Sequence, residues 1–285
     1  MPHYSQTAPA QTASNRVALV SGAASGIGLA TVRLLAGAGW TTYAGFRPGG
    51  RSAAPTDLAS AVHWLSLDVT EGESRQAALE LIRQRHGRLD ALVNNAGIAA
   101  PGPLEEVPAQ ALRRVMEVNF FGAIELTRTF LPLMRGRGAV IVMVSSLSGL
   151  IGLPFDGAYA ASKFALEGAS ESLRYELEPS GVRVALIEPG AYATALDAST
   201  GAPAHTSAYP AFERLRADQP AAGSGGADPA EAAQVILETI LAGAPHLRVP
   251  AGAQALGVTQ RLRVLEGAER REFALAAAGI RATDP

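Results

Sequence analysis

The chain has no cysteine, which excludes disulfides, thiolate nucleophiles and cysteine-ligated metals. Its five histidines, His3, His63, His86, His205 and His246, are scattered and show no ligand spacing, so no metal site is expected. No apolar run reaches the length of a membrane-spanning helix. A net charge of -2 gives no basis for a nucleic-acid or anionic-membrane partner. Residues 1–15 lack both a cationic start and an apolar stretch, so they read as a flexible tail and the protein as cytoplasmic. Lysine is nearly absent too. The 24 basic residues include one lysine, Lys163, and the rest are arginine.

Against these absences, 48% of the 285 residues are hydrophobic, enough for a sizeable core. Short apolar, β-branched runs at Val17–Val20, Thr41–Ala44, Val62–Leu67, Ala91–Val93, Val140–Val144 and Val182–Ile187 read as strands. Amphipathic stretches lie between them. Ile27–Ala38 follows a glycine turn, and Thr70 with Glu73 has capping-box spacing ahead of a helix to about His86. Pro108–Met134 and Tyr159–Leu177 are longer helices, and Asp228, Pro229 and Glu231 open a late one. The alternation predicts a single-domain α/β fold: a doubly wound, mostly parallel Rossmann sheet with helices on both faces, over residues 16–250. Residues 190–227, rich in Ala, Gly, Ser, Thr and Pro, are expected to be an irregular lid or binding loop. Residues 251–285 are expected to extend the same domain.

The first strand runs into Ser21-Gly22-Ala23-Ala24-Ser25-Gly26-Ile27-Gly28 and then a helix. Such a turn lets the backbone approach a pyrophosphate at the helix N-terminus. With it, in order, come Asn94-Asn95-Ala96-Gly97, Tyr159-x-x-x-Lys163 and Pro189-Gly190. Together these motifs resemble the short-chain dehydrogenase/reductase family in its single-domain form, over roughly residues 16–250. The segment from Gly152 through Tyr159 to Gly168 is similar to the 17β-hydroxysteroid and retinol dehydrogenase branch. Ser21 stands where that family usually has threonine, and a hydroxyl is retained.

Hydride transfer to a carbonyl leaves an alkoxide that needs a proton, and the reverse reaction needs a base. A free tyrosine titrates at about 10, and a nearby cation in a dry site brings that value down. Tyr159 and Lys163, four apart on one helix face, can form such a pair, and a compact ammonium is not replaceable by a planar guanidinium. The resemblance implies that Lys163 also bonds the nicotinamide ribose. It further implies that Ser146, thirteen residues before Tyr159, orients the substrate oxygen, and that Asn119 is the fourth site residue, holding a water that links Lys163 to solvent. Asn119 also reads as a polar residue that satisfies backbone in a helix bend. Ser145 should point to the other side of its strand, and Ser148 is a rival to Ser146.

The cofactor residues implied are Gly22, Ser25, Gly26, Ile27 and Gly28 in the turn, Asp68 and Val69 toward the adenine, and Asn94, Asn95, Ala96 and Gly97 along the floor. Tyr159, Lys163, Pro189 and Gly190 join them, with Thr194 at the carboxamide. NAD-binding sites usually carry Asp or Glu at the end of the second strand. Here Phe46 stands there with Arg47 beside it and Arg51 nearby, so NADP(H) is expected rather than NAD(H), since arginine can pair with a 2′-phosphate. The leading expectation is oxidoreduction of a small apolar alcohol or carbonyl compound by a homodimer or homotetramer. A non-catalytic NADP(H)-sensing protein of the same fold and a dehydratase or epimerase are the alternatives. The Tyr-Lys-Ser-Asn set argues against the first, and the Gly22–Gly26 gap with the modest length argues against the second.

Overall fold

The computed structural model describes residues 16–47, 49, 58, 62–194, 196, 206–218 and 226–280. Within these, seven strands form one sheet: β1 (Val17–Val20), β2 (Thr41–Phe46), β3 (Val62–Ser66), β4 (Ala91–Asn94), β5 (Val140–Val144), β6 (Arg183–Pro189) and β7 (Arg248–Ala251). The order is β3-β2-β1-β4-β5-β6-β7 and every pairing is parallel. The strands are apolar at nearly every position because both faces are covered. Leu19, Leu92, Ile141, Met143, Val184 and Leu186 face one core layer. Their neighbours Ala18, Val20, Val93, Val142, Val144, Ala185 and Ile187 face the other.

Helices α1 (Gly26–Gly37) and α7 (Pro229–Leu241) cover the second face. On the first lie α2 (Gly72–His86), α3 (Ala109–Met116), α4 (Ala123–Met134) and α5 (Gly157–Leu177). The predicted Pro108–Met134 helix is continuous but not regular: a π-helical turn, Glu117–Gly122, joins α3 to α4 and carries Asn119. Asp228 caps α7 as expected, its Oδ1 accepting from the Ala230 amide at 2.9 Å.

Two expectations need correction. Thr70 does not cap α2. The preceding residue of that helix is Glu71, without a side-chain cap, and Thr70 instead donates its hydroxyl (2.7 Å) and amide (2.9 Å) to Asp68 Oδ1. The stretch about 190–227 is not wholly irregular. It contains α6 (Pro210–Ala217), whose Phe212 packs on Phe155 at 5.3 Å between ring centroids. The chain after β6 also adds β7, α8 (Gly252–Leu262) and α9 (Gly267–Ala277). The tail at 1–15, Arg51 and residues 197–205, 219–225 and 281–285 lie outside the described residues.

Candidate active site

β1 and β4 are neighbours in the sheet while β2 lies on the other side of β1, so the chain reverses direction between β1 and β4 and opens a crevice at their C-terminal ends. Ser21 holds that crevice together. Its hydroxyl donates to Val93 O at 3.3 Å and accepts from the amides of Asn95 at 3.0 Å and Ala96 at 3.1 Å. Asn95 in turn donates from Nδ2 to the carbonyls of Ser21 and Gly22, both at 3.0 Å. The glycines are required by this closeness. Gly22 has φ +63°, and a Cβ there would lie 2.7 Å from Ala96 Cα. A Cβ on Gly28 would lie 2.4 Å from Asn95 Nδ2.

Ser25 precedes α1 without capping it, and no acidic residue occupies the first turn, so the helix N-terminus is open to an anion. Ile27 is half-buried on the α1 side of the core. Thr194 stands over the turn, since a Cβ on Gly26 would be 3.1 Å from its Cγ2. Pro189 ends β6, and Gly190 follows it under Gln254 of α8, which accepts from the Ala191 amide at 3.0 Å. Gly97 lies beside Asn119 Oδ1. Asn94 departs from the floor: its side chain turns into the core, donating to Thr127 Oγ1 at 3.0 Å. At the far end Phe46 packs on Trp64 and Arg47 is exposed. Burial works against ionisation of Asp68, but the Thr70 hydroxyl and amide, with Arg114 and Arg47, outweigh it and hold the carboxyl below its usual range. Val69 is buried, and its carbonyl accepts from Arg75 at 2.7 Å.

The residues expected to react lie on α5 and just after β5. Lys163 is 4% exposed; its Nζ sits 5.3 Å from the centre of the Tyr159 ring and donates to Val144 O at 2.7 Å. Burial pushes the ammonium down to about 8, and only Glu167, one turn further along α5, pulls it back up. Ser146 follows β5, and its hydroxyl accepts from the Ser148 amide at 3.1 Å. The hydroxyl of Ser148, its rival, donates to Asp156 at 2.7 Å. Asn119 is clamped from three directions. Its Oδ1 accepts from the Ile98 amide at 2.8 Å, and its Nδ2 donates to Ile98 O and to Ser162 Oγ, both at 2.9 Å. Ser162, unmarked by any sequence motif, donates to Tyr159 O at 2.7 Å and so ties the π-helical turn to α5 beside Lys163.

Several known proteins are similar. A 3-ketodihydrosphingosine reductase of Bacteroides thetaiotaomicron is 38% identical over 180 residues, 63% of this chain and 65% of its own. Retinol dehydrogenase 8 of Homo sapiens is 36% identical over 255 residues, 83% of this chain and 81% of its own. The 17-beta-hydroxysteroid dehydrogenase type 1 of Homo sapiens is 42% identical over 190 residues, 63% of this chain and 57% of its own. The alignment thus spans under two thirds of the first and third of these relatives. Among solved structures, a short chain dehydrogenase/reductase of Burkholderia phymatum in complex with NAD has TM-score 0.76 and 25% identity, over 95% of this chain and 97% of that one. A short chain dehydrogenase of Burkholderia cenocepacia in complex with NADP has TM-score 0.72 and 28% identity, over 94% and 99%. The family model described as short chain dehydrogenase matches residues 16–204, and with this fold and these relatives the chain belongs to the short chain dehydrogenase family of oxidoreductases, near its retinol and 17-beta-hydroxysteroid dehydrogenase branch.

Proposed function

We propose that this oxidoreductase interconverts an apolar secondary alcohol and its ketone, or an aldehyde, with NADP(H), and that Tyr159 is its acid/base. The observation that carries the reading is the lone lysine of the chain, buried against the Tyr159 ring. Burying an ammonium costs stability, and the charge held there favours the phenolate form of its neighbour.

The crevice suits a dinucleotide. The Gly22–Gly28 turn leaves no room for side chains, the α1 N-terminus is open, and no carboxylate stands at the end of β2. Arg47 there favours a 2′-phosphate over a bare ribose. When bound, the nicotinamide supplies or accepts the hydride. In the reductive direction the Ser146 hydroxyl donates to the substrate carbonyl oxygen, and the Tyr159 phenol passes its proton to that oxygen as charge develops. Lys163 stabilises the resulting phenolate, and Asn119, through Ser162, keeps the start of α5 in place. In this reading the described residues 206–218, which include α6, form part of the lid. Tyr209 and Phe212 pack on Phe155 at 6.0 and 5.3 Å between ring centroids and form an apolar wall. The exposed Phe121 and Phe164, 47% and 46% accessible, support pairing of two copies across the face of the π-helical turn and α5.

The test is NADPH consumption across a panel of ketones and aldehydes by three proteins. The parent should turn over apolar carbonyl compounds. Tyr159→Phe should lose turnover by at least about 10²-fold while still binding NADPH, since general-acid catalysis contributes on that scale. Lys163→Arg should be severely impaired although it keeps the charge. A Tyr159→Phe variant that works as well as the parent would sink the reading.

A further inference from the structure

Behind Lys163, on the side away from Tyr159, lies a buried acidic pair that the proposed chemistry does not use. Glu167 is one turn after Lys163 on α5, and Tyr159 is one turn before it, so all three share a face. Glu188 is on β6, where strand alternation turns it to the α5 face with Val184 and Leu186. Its side chain is fully buried, and neither carboxylate oxygen has a hydrogen-bond partner. One guanidinium stands between the two acids. Arg248 Nε donates to Glu167 Oε2 at 2.9 Å and lies 3.8 Å from Glu188 Oε1, while its Nη2 donates to the exposed Glu171 at 2.9 Å.

A single guanidinium so divided cannot support two buried carboxylates in full ionisation. The second oxygen of Glu167 is buried without a partner in good hydrogen-bond geometry, and the nearby Ser145 hydroxyl favours its charged form only against the larger effect of burial. Glu188 also lines a cavity of about 240 Å³ shared with Leu150, Arg248, Thr259, Arg263 and Arg270. Thr259 Oγ1 there is likewise unpartnered, and Arg263 is exposed at the rim. A space that size can admit water, and the orphaned oxygens of Glu188 and Thr259 lie just behind its wall.

We propose that Glu167 and Glu188, linked by the Arg248 guanidinium between them, titrate as a coupled pair that exchanges protons with solvent on the cavity side and so sets the charge of Lys163 from the side opposite Tyr159. The proton passes between the Glu188 carboxyl and water when the side chains that separate it from the cavity move apart, the O–H bond of one breaking as that of the other forms. Both acids act through Lys163 and are therefore positioning residues. The inference rests on the proposed function only for what it regulates. The titration behaviour agrees with the geometry. Burial raises Glu188 to about 7, with Glu167 adding to the effect and Arg248 and Arg263 opposing it. Burial also raises Glu167, against the pull of Ser145, Arg248 and Lys163.

Because the chain has one lysine, protein grown with 13Cε-lysine has one lysine side-chain signal, and its pH titration needs neither cofactor nor substrate. The parent curve should show a main step at about 8 and a smaller one at about 7 from the pair. Glu188→Gln should keep the main step and lose the smaller. Glu167→Gln should lower the main step by about one pH unit or more, since it removes the adjacent negative charge. Glu167→Asp, which keeps that charge, should stay nearer the parent. A single-step parent curve reproduced in Glu188→Gln overturns the proposal. So does a folded Glu167→Gln protein with an unshifted midpoint; if that variant does not fold, the Glu188→Gln arm decides alone. In turnover, Glu167→Gln should move the alkaline limb of kcat/KM to lower pH. A parent inactive on every carbonyl compound would count against the proposed function and leave the titration result standing.

Discussion

Replacing Ser21 with alanine should loosen the crevice before it touches any reacting group. The Ser21 hydroxyl accepts from the amides of Asn95 and Ala96 and donates to Val93 O. Truncation leaves two donors without an acceptor, and an orphaned buried donor costs about 1–3 kcal/mol. Both residues are half-buried, so water can reach part of the gap and the lower end of the range applies to each. The expected loss is about 2 kcal/mol, which in a chain of this size lowers Tm by about 4–8 °C. Because the same amides shape the dinucleotide crevice, NADPH affinity should fall as well, by about tenfold. Ser21→Thr keeps the hydroxyl and should restore both. Calorimetry and NADPH titration of the three proteins make the test. An alanine variant within about 1 °C of the parent and with unchanged affinity would refute the view that one hydroxyl ties β1 to β4.

Three further outcomes are expected. Arg47→Ala should weaken NADPH by about tenfold to a hundredfold in kcat/KM and leave NADH nearly unchanged, since a charge-assisted bond contributes about 1.5–3 kcal/mol. Phe46→Asp should move preference toward NADH, and a parent that uses both cofactors equally would rule out the role given to Arg47. Light scattering should find an oligomer in the parent and a smaller species in Phe121→Glu or Phe164→Glu, and a monomeric parent at micromolar concentration counts against the pairing face. Glu188 is raised from 4.5 to about 7 in the folded chain, so its favourable contribution is complete below about 4.5 and is lost as pH rises through about 7. Glu188→Gln should therefore gain on the parent by about 1–3 kcal/mol at pH 8 and not at pH 4.5, read by urea unfolding at the two values. The same difference at both would remove the case for a buried acid there.

The sequence exposes those parts of the fold whose cause is local. Six strands were legible because a strand covered on both faces must be apolar throughout, and Val140–Val144 matches its predicted limits. β7 was not, because Arg-Val-Pro-Ala is short and holds a proline that only an edge position tolerates. Thr70 and Glu73 carry the spacing of a cap, yet Asp68 takes the Thr70 hydroxyl, and nothing in the local pattern announces that competitor. α6 has eight residues, too few for a helical period to stand out; its packing on Phe155, more than fifty residues earlier, is visible only in three dimensions. The proposed reactive residues stand out for a chemical reason, a lysine in a chain that otherwise uses arginine. Their supports do not. Ser162 bonds across 43 positions to Asn119, and Arg248 reaches Glu167 across 81.

The burial of Lys163 within α5 also governs how the protein meets reagents that seek amines. Every other cationic side chain is a guanidinium, so acylating reagents find no ε-amino group on the surface while α5 stays wound. A lysine-specific protease has one peptide bond to cut, after residue 163, near the middle of a helix. Cleavage there requires that helix to unwind, and the rate of that single cut becomes a clock for the opening of the α5 turns that carry Tyr159 and Lys163.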